Sequence, residues 1–272
     1  MHYREIQPQP SLSRFIECFW TLESEPNAVE MAEPILPDGC VELILNSGEP
    51  FHQISESGEQ VKQPAHFVVG QMTRPVLIAP AGSVELIGIR FNPGGTMPFL
   101  QQPLHELTNR IVELGSLNRA LESELRCALT NASSSSERIN RLQSCLIRRA
   151  QRFTGDQGFL NLTANAVRFH GRIRIDELAD SAGVSGRQLE RRFLAEIGIG
   201  PKMFCRILRF QQVFRAVEED GAGWAAVAAD CGYYDQAHLI RDFQEFAQQT
   251  PAVLLRQGSR LTEVFTRKHR RT

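Results

Sequence analysis

Two short, largely polar runs of side chains on helical spacing are the groups in this 272-residue chain best placed to touch a partner. The first is Arg187, Gln188, Glu190 and Arg191. The second is Gln236, Ala237, His238 and Arg241. Each lies opposite an apolar stripe on its own helix, Leu189, Phe193 and Ile197 in the first and Leu239, Phe243 and Ala247 in the second. Such a helix packs on one side and presents hydrogen-bonding groups on the other, as a helix reading base edges must. Glu190 is suited either to accept from cytosine N4 or to pair with neighbouring arginines, and Arg241 either to contact DNA or to pair with Asp242 or Glu245. For His238, packing or a phosphate contact outweighs base reading.

The elements that must position these runs are visible as a repeat. Leu178-Ala179-Asp180-Ser181-Ala182-Gly183-Val184-Ser185 precedes Leu189, Phe193 and Pro201. Val227-Ala228-Ala229-Asp230-Cys231-Gly232-Tyr233-Tyr234-Asp235 precedes Leu239, Phe243 and Pro251. Both copies predict a short helix, a glycine turn and a longer second helix, the pattern of a helix-turn-helix. Gly183 suits the left-handed stop, and Asp176 and Glu177 suit the positive start of the first helix. Ser185 with Gln188 forms a capping box, and Asp235 caps the second recognition helix. The second turn holds one extra residue. Pro201 and Pro251 each open a following helix. A helix over about Pro201–Val217, with Phe204, Ile207, Leu208, Gln211 and Phe214, is predicted to hold the two recognition helices apart. For successive major grooves on one face of DNA they must stand roughly 34 Å apart.

The runs Gly183-Val184-Ser185-x-Arg187-x-Leu189-x-Arg191-x-Phe193, Gly198-x-x-Pro201-Lys202, Gly232-Tyr233-x-Asp235-x-x-x-Leu239-x-Arg241-x-Phe243 and Thr250-Pro251 resemble the DNA-binding domain of AraC/XylS-type transcription regulators. The resemblance covers residues 160–257 and implies seven helices in two subdomains joined by a linker helix. It implies that Arg187, Glu190 and Arg191 read bases in the first subdomain, and Gln236, Ala237, Ile240 and Arg241 in the second. Lys202 is a candidate phosphate contact. The sequence departs from the family at Arg174, where a Ser or Thr cap is usual. Ala237 and Ile240 offer no hydrogen bonds, so the second subdomain is expected to read less sequence.

The amino-terminal part is expected to be β-rich. Val41–Asn46, His66–Gly70, Val76–Ala79 and Val84–Phe91 are strand candidates bounded by Gly or Pro. Phe91–Gly95 is a sharp turn, and Pro98–Leu100 and Leu104–Leu107 begin helical segments. Pro37-Asp38-Gly39-Cys40-x-Glu42-Leu43 and Arg90-Phe91-x-Pro93-Gly94-Gly95 resemble the amino-terminal domain of an AraC-like subgroup, which implies a cupin-like fold and supplies no ligand. Leu114–Leu129 and Glu137–Phe153 predict an antiparallel helical hairpin, with Ser133–Ser136 in its turn. Its surplus apolar face can dimerise, cover the barrel or cover the DNA-binding domain.

Composition is consistent with two domains that each have a core. The hydrophobic fraction is 42% and the net charge −1. From Leu162 to Thr272 there are 17 Lys+Arg against 13 Asp+Glu, and the remainder holds 13 against 18. A basic carboxy-terminal part on an acidic amino-terminal part fits a chain in which only one domain meets phosphate. The tail Arg267-Lys268-His269-Arg270-Arg271 adds to the surplus or is a solvated end. The six cysteines are scattered, without a C-x-x-C pair, and suit reduced thiols in a cytoplasmic protein. His52, His66 and His105 are isolated, so neither a metal nor a cofactor is implied. No apolar run is long enough to cross a membrane. An enzyme is disfavoured, because no G-x-S-x-G elbow, paired-carboxylate motif or clustered cysteine site is present.

The expected fold is α+β, in four parts. These are a β-rich, cupin-like barrel acting as a regulatory domain (1–114), a helical hairpin (115–157), a tandem helix-turn-helix domain (160–257) and a basic tail (258–272). The expected function is sequence-specific double-stranded DNA binding in transcription regulation. RNA polymerase, an unidentified small-molecule effector and a second copy of the chain are further candidate partners. The alternative is a ligand-binding or protein-interaction module whose helix-turn-helix part has lost DNA affinity.

Overall fold

A computed structural model describes residues 2–24, 32–55, 57–130, 132, 134–220 and 223–257. The basic tail and Ser133 lie outside the described residues.

The strands are β1 (His2–Ile6), β2 (Ile16–Glu23), β3 (Glu33–Ile35), β4 (Val41–Asn46), β5 (Phe51–Ile54), β6 (Gln60–Lys62), β7 (His66–Val69), β8 (Val76–Pro80), β9 (Glu85–Phe91) and β10 (Ile111–Glu113). They form two antiparallel sheets, ordered β1-β2-β9-β4-β7-β10 and β3-β8-β5-β6. Among the described residues no ladder joins the two into a closed barrel.

Side chains alternate across a strand, and the large sheet is apolar on both faces. Val41, Leu43 and Leu45 of β4 and Ile87, Ile89 and Phe91 of β9 face one core. Trp20, Ile44 and Leu86 face the small sheet, with Phe51 and Phe67. Gly88 is required by that second layer, since a Cβ there would lie 1.9 Å from the Trp20 ring.

The first core is closed by α1 (Leu114–Leu117), α2 (Arg119–Leu129) and α3 (Ser135–Ala150). The predicted continuous helix over Leu114–Leu129 breaks at Asn118, whose φ is −153° and whose side chain accepts from Leu121 N at 3.0 Å. Ser134 caps α3 by accepting from Glu137 N at 3.2 Å. Leu121, Leu125, Ile139, Leu142 and Leu146 are all buried in the sheet's core. The hairpin's apolar stripe therefore covers the large sheet. Pro98–Leu100 lies in turns, and Leu104–Leu107 is a 3-10 turn, too short to continue as an α-helix.

Seven helices follow among the described residues: α4 (Gln157–Arg168), α5 (Ile175–Ser181), α6 (Gly186–Glu196), α7 (Pro201–Asp220), α8 (Trp224–Asp230), α9 (Gln236–Ala247) and α10 (Pro251–Gln257). Their shared core joins Leu178, Leu189 and Phe193 to Phe204 and Phe210 of α7, and onward to Val227, Leu239 and Phe243.

The two amino-terminal signature runs lie where the halves meet. Gly39, at φ +80°, brings the chain against α7, and a Cβ there would lie 3.4 Å from Phe204 and 3.6 Å from Leu208. Gln211 Nε2 donates to Pro37 O at 2.6 Å, and Leu36 is buried in the helical core. The second run meets α4, where Thr163 Oγ1 donates to Pro93 O at 2.8 Å and Gly94, at φ +82°, faces Leu160 and Phe159. Arg90 ties the first run from within. Its side chain is fully buried, with Nε 2.8 Å from Glu42 Oε1 and Nη2 2.9 Å from Asp38 Oδ2. Asp38 in turn accepts from Cys40 N at 3.0 Å and shapes the loop. Burial pushes the Glu42 carboxyl up, and the Arg90 charge opposes that shift.

Candidate nucleic-acid interface

The first unit is α5 and α6. Gly183 stops α5 at φ +63°, and Val184 N bonds back to Ala179 O at 3.1 Å. Ser185 caps α6 in a complete capping box, accepting from Gln188 N at 3.3 Å while Gln188 Oε1 accepts from Ser185 N at 2.8 Å. Leu189 and Phe193 are fully buried, and Arg187, Gln188, Glu190 and Arg191 are exposed together on the opposite side. Because its carbonyl serves the cap, Gln188 offers a partner only its amide donor. Arg174, at the start of α5, makes no side-chain cap and instead pairs with Asp176 at 2.6 Å.

The second unit, α8 and α9, repeats this plan. Gly232 turns at φ +76°, and Asp235 caps α9 by accepting from His238 N at 2.7 Å. Gln236, Ala237 and Arg241 are exposed, while His238 and Ile240 are half-buried. The His238 ring meets the buried Tyr233 ring edge-on at 5.2 Å. The extra turn residue resolves here, because Tyr233 packs inward and Tyr234 is 93% exposed beside the cap. Sequence reasoning treated Tyr234 as turn length only. The insertion relative to the first copy was the available signal.

α7 braces the two units. Phe204 meets Phe193 of α6 at 5.9 Å, and Phe210 meets Phe243 of α9 at 4.8 Å and Phe246 at 5.3 Å. An ion pair fixes the α9 side, with Arg206 Nη2 2.7 Å from Asp242 Oδ1 and a second carboxylate, Glu245, on the same guanidinium. Those carboxylates raise the Arg206 pKa against the opposing effect of burial. Asp242 and Glu245 are thus engaged by Arg206. Sequence reasoning missed this pair, because its members lie 36 residues apart and no local spacing reports it.

Other arginines are similarly committed. Arg192 pairs with Asp156 and Glu196 and lies over the Phe159 ring, while Arg172 and Arg209 donate to the Asp230 and Gly171 carbonyls. Among the described residues, Arg187, Arg191, Lys202 and Arg241 form no ion pair and are all exposed. Cations in that state are available to phosphates and base edges.

Residues 178–257 match the family described as a helix-turn-helix domain. This segment is a helix-turn-helix domain. The match starts within α5 and takes in both recognition helices and the brace between them. Residues 4–113 match a domain of unknown function (DUF6597). No curated protein matches the chain. Among solved structures, ToxT from Vibrio cholerae O395 is 9% identical at a TM-score of 0.44, over 87% of this chain and 96% of that one. ToxT bound to (E)-4-(8-methylnaphthalen-1-yl)but-3-enoic acid is 10% identical at a TM-score of 0.45, over 87% and 98%. Unsaturated fatty acid bound wild-type ToxT from Vibrio cholerae strain SCE256 is 10% identical at 0.44, over 85% and 96%. No described helix is long and apolar enough to cross a membrane.

Proposed function

We propose that the chain is a sequence-specific transcription regulator that sets α6 and α9 into successive major grooves of one duplex. Its amino-terminal domain modulates that binding. The carrying observation is the pair of capped recognition helices on one brace, α7, with Arg187, Arg191 and Arg241 outward and unpaired among the described residues. Arg187, Glu190 and Arg191 read bases from α6, with the Gln188 amide beside them. Gln236 and Arg241 read from α9, whose Ala237 and Ile240 supply apolar contacts, and His238 and Lys202 face the backbone. Phosphate contacts contribute much of the affinity and base contacts the specificity. Functionally the chain divides as 1–114, 115–157 and 160–257. The direct test is a gel shift with DNA from upstream of the protein's own gene, at two salt concentrations. Binding that weakens with salt and survives a large excess of unrelated DNA supports the reading. Absence of binding at low salt would transfer it to the protein-interaction alternative.

A further inference from the structure

The two glycine turns close bond for bond. In the first unit Gly183 N donates to Asp180 O at 3.0 Å and Val184 N to Ala179 O at 3.1 Å. In the second, Gly232 N donates to Ala229 O at 3.0 Å and Tyr233 N to Ala228 O at 2.9 Å. Tyr233 therefore takes the place of Val184. Ser185 follows at once as the cap of α6, whereas Tyr234 stands between the closed turn and the Asp235 cap of α9. Tyr234 is thus the inserted residue, and it is 93% exposed. Among the described residues its hydroxyl makes no hydrogen bond and its ring meets no other ring. Packing among these residues asks for no tyrosine here.

Its position is next to the groups that read DNA. Gln236 and Ala237, the first two residues of α9, are exposed beside it. A recognition helix meets the groove with its first residues. On α9, Ala237 and Ile240 bring no hydrogen-bonding side chain, so this unit has few polar contacts of its own. In the turn before α9, Cys231 and Tyr233 are buried, Gly232 has no side chain, and the Asp235 carboxylate accepts from His238 N at 2.7 Å. Tyr234 is the residue of that turn with an exposed side-chain donor. Tyrosine is among the side chains that bond to DNA phosphates, whereas the major-groove pairings with base edges do not use it. We propose that Tyr234 is a backbone anchor of the second unit: its hydroxyl donates to a phosphate oxygen flanking the groove that α9 enters, and its ring lies against the adjoining sugar. This rests on the DNA-binding reading above. The anchor is uncharged, so it fixes α9 in register without adding to the salt dependence.

The test uses the full chain and a synthetic duplex carrying the site that it selects from random-sequence DNA. Tyr234→Phe removes only the hydroxyl and should weaken binding about tenfold, as for loss of a hydrogen bond to a charged oxygen. Tyr234→Ala should lose at least as much. Both variants should melt as wild type does, because the side chain is exposed. The loss should be equal on altered sites. The slope of log affinity against log salt should not change, since a neutral donor displaces no counterion. Replacing single phosphates by neutral methylphosphonates then locates the contact. At one position wild type should lose about tenfold and Tyr234→Phe about twofold or less, the coupling expected of groups in contact. Undiminished affinity of both variants overturns the proposal, as does the absence of any phosphate at which wild type and Tyr234→Phe differ. A loss that depends on the identity of one base pair overturns it in favour of base reading. These outcomes leave the DNA reading standing, whereas a wild-type chain that selects no duplex overturns both.

Discussion

Arg206→Met removes the cation that ties the brace to the second recognition helix, and its consequence can be worked from burial. The Asp242 side chain is 1% exposed and that of Arg206 20%, whereas Glu245 is 44% exposed and can return to water. The cost therefore falls on Asp242. Stranding one member of a buried ion pair costs about 3–5 kcal/mol. Partial exposure of Arg206 lets water in and lowers the figure, so a loss of about 2–4 kcal/mol is expected at pH 7. Methionine keeps an apolar contact with Phe246, over which the guanidinium carbon sits at 5.1 Å, so lost packing adds little.

Urea unfolding of wild type and variant at pH 7 measures the loss. Arg206→Met with Asp242→Leu should recover most of the loss, because no charge is then stranded. A single variant within about 0.5 kcal/mol of wild type, or a double variant no more stable than the single one, would refute the assignment of Asp242 as a stranded charge.

Three further outcomes follow from the interface. Arg191→Ala should cost about 1–3 kcal/mol on the preferred site and relax preference at one base, as measured by competition binding; equal losses on all sequences would make it a phosphate contact. Lys202→Ala should weaken all sequences alike and reduce the salt slope by about 1, which titration at several salt concentrations would detect. Ser185→Ala removes half of the capping box and should lower stability by about 0.5–2 kcal/mol in thermal unfolding, while Ser185→Asn should be nearly neutral.

The carboxy-terminal part was legible because its information is local. Gly183 and Gly232 mark turns, Ser185 and Asp235 mark caps, and the stripes from Leu189 and Leu239 mark buried faces. All of these act within a few residues. β2 was not legible: Ile16–Glu23 buries side chains on both faces, so it lacks the alternation that marks a half-exposed strand. β3, β6 and β10 are three residues each, too short for a periodic signal. The strand character of β4, β7, β8 and β9 was visible, but the division into two sheets depends on pairings such as β4 with β9, more than forty residues apart. The signature runs were seen as family marks, with no reason attached. Their reason is tertiary, since Gly39 and Pro93 press against helices over a hundred and about seventy residues away.

The arginine partners also change what charge counting means. The surplus of Lys and Arg after Leu162 lies in the tail, since residues 162–257 hold 12 Lys+Arg against 12 Asp+Glu, and of those twelve Arg172, Arg192, Arg206 and Arg209 hold helices together. The cations on which the proposed DNA reading relies are Arg187, Arg191, Lys202 and Arg241, which are exposed and form no ion pair among the described residues. If each displaces a condensed counterion, the slope of log affinity against log salt is about −3 to −4. That slope is shallow for a protein spanning two grooves and predicts that phosphate contact comes from these few cations and the helix N-termini rather than from many surface charges. A measured slope steeper than about −6 would contradict it, requiring at least two or three phosphate contacts from cations elsewhere. A chain truncated after Gln257 then says where they lie. An unchanged steep slope puts them among the described residues, and a slope reduced to about −4 puts them in the basic tail.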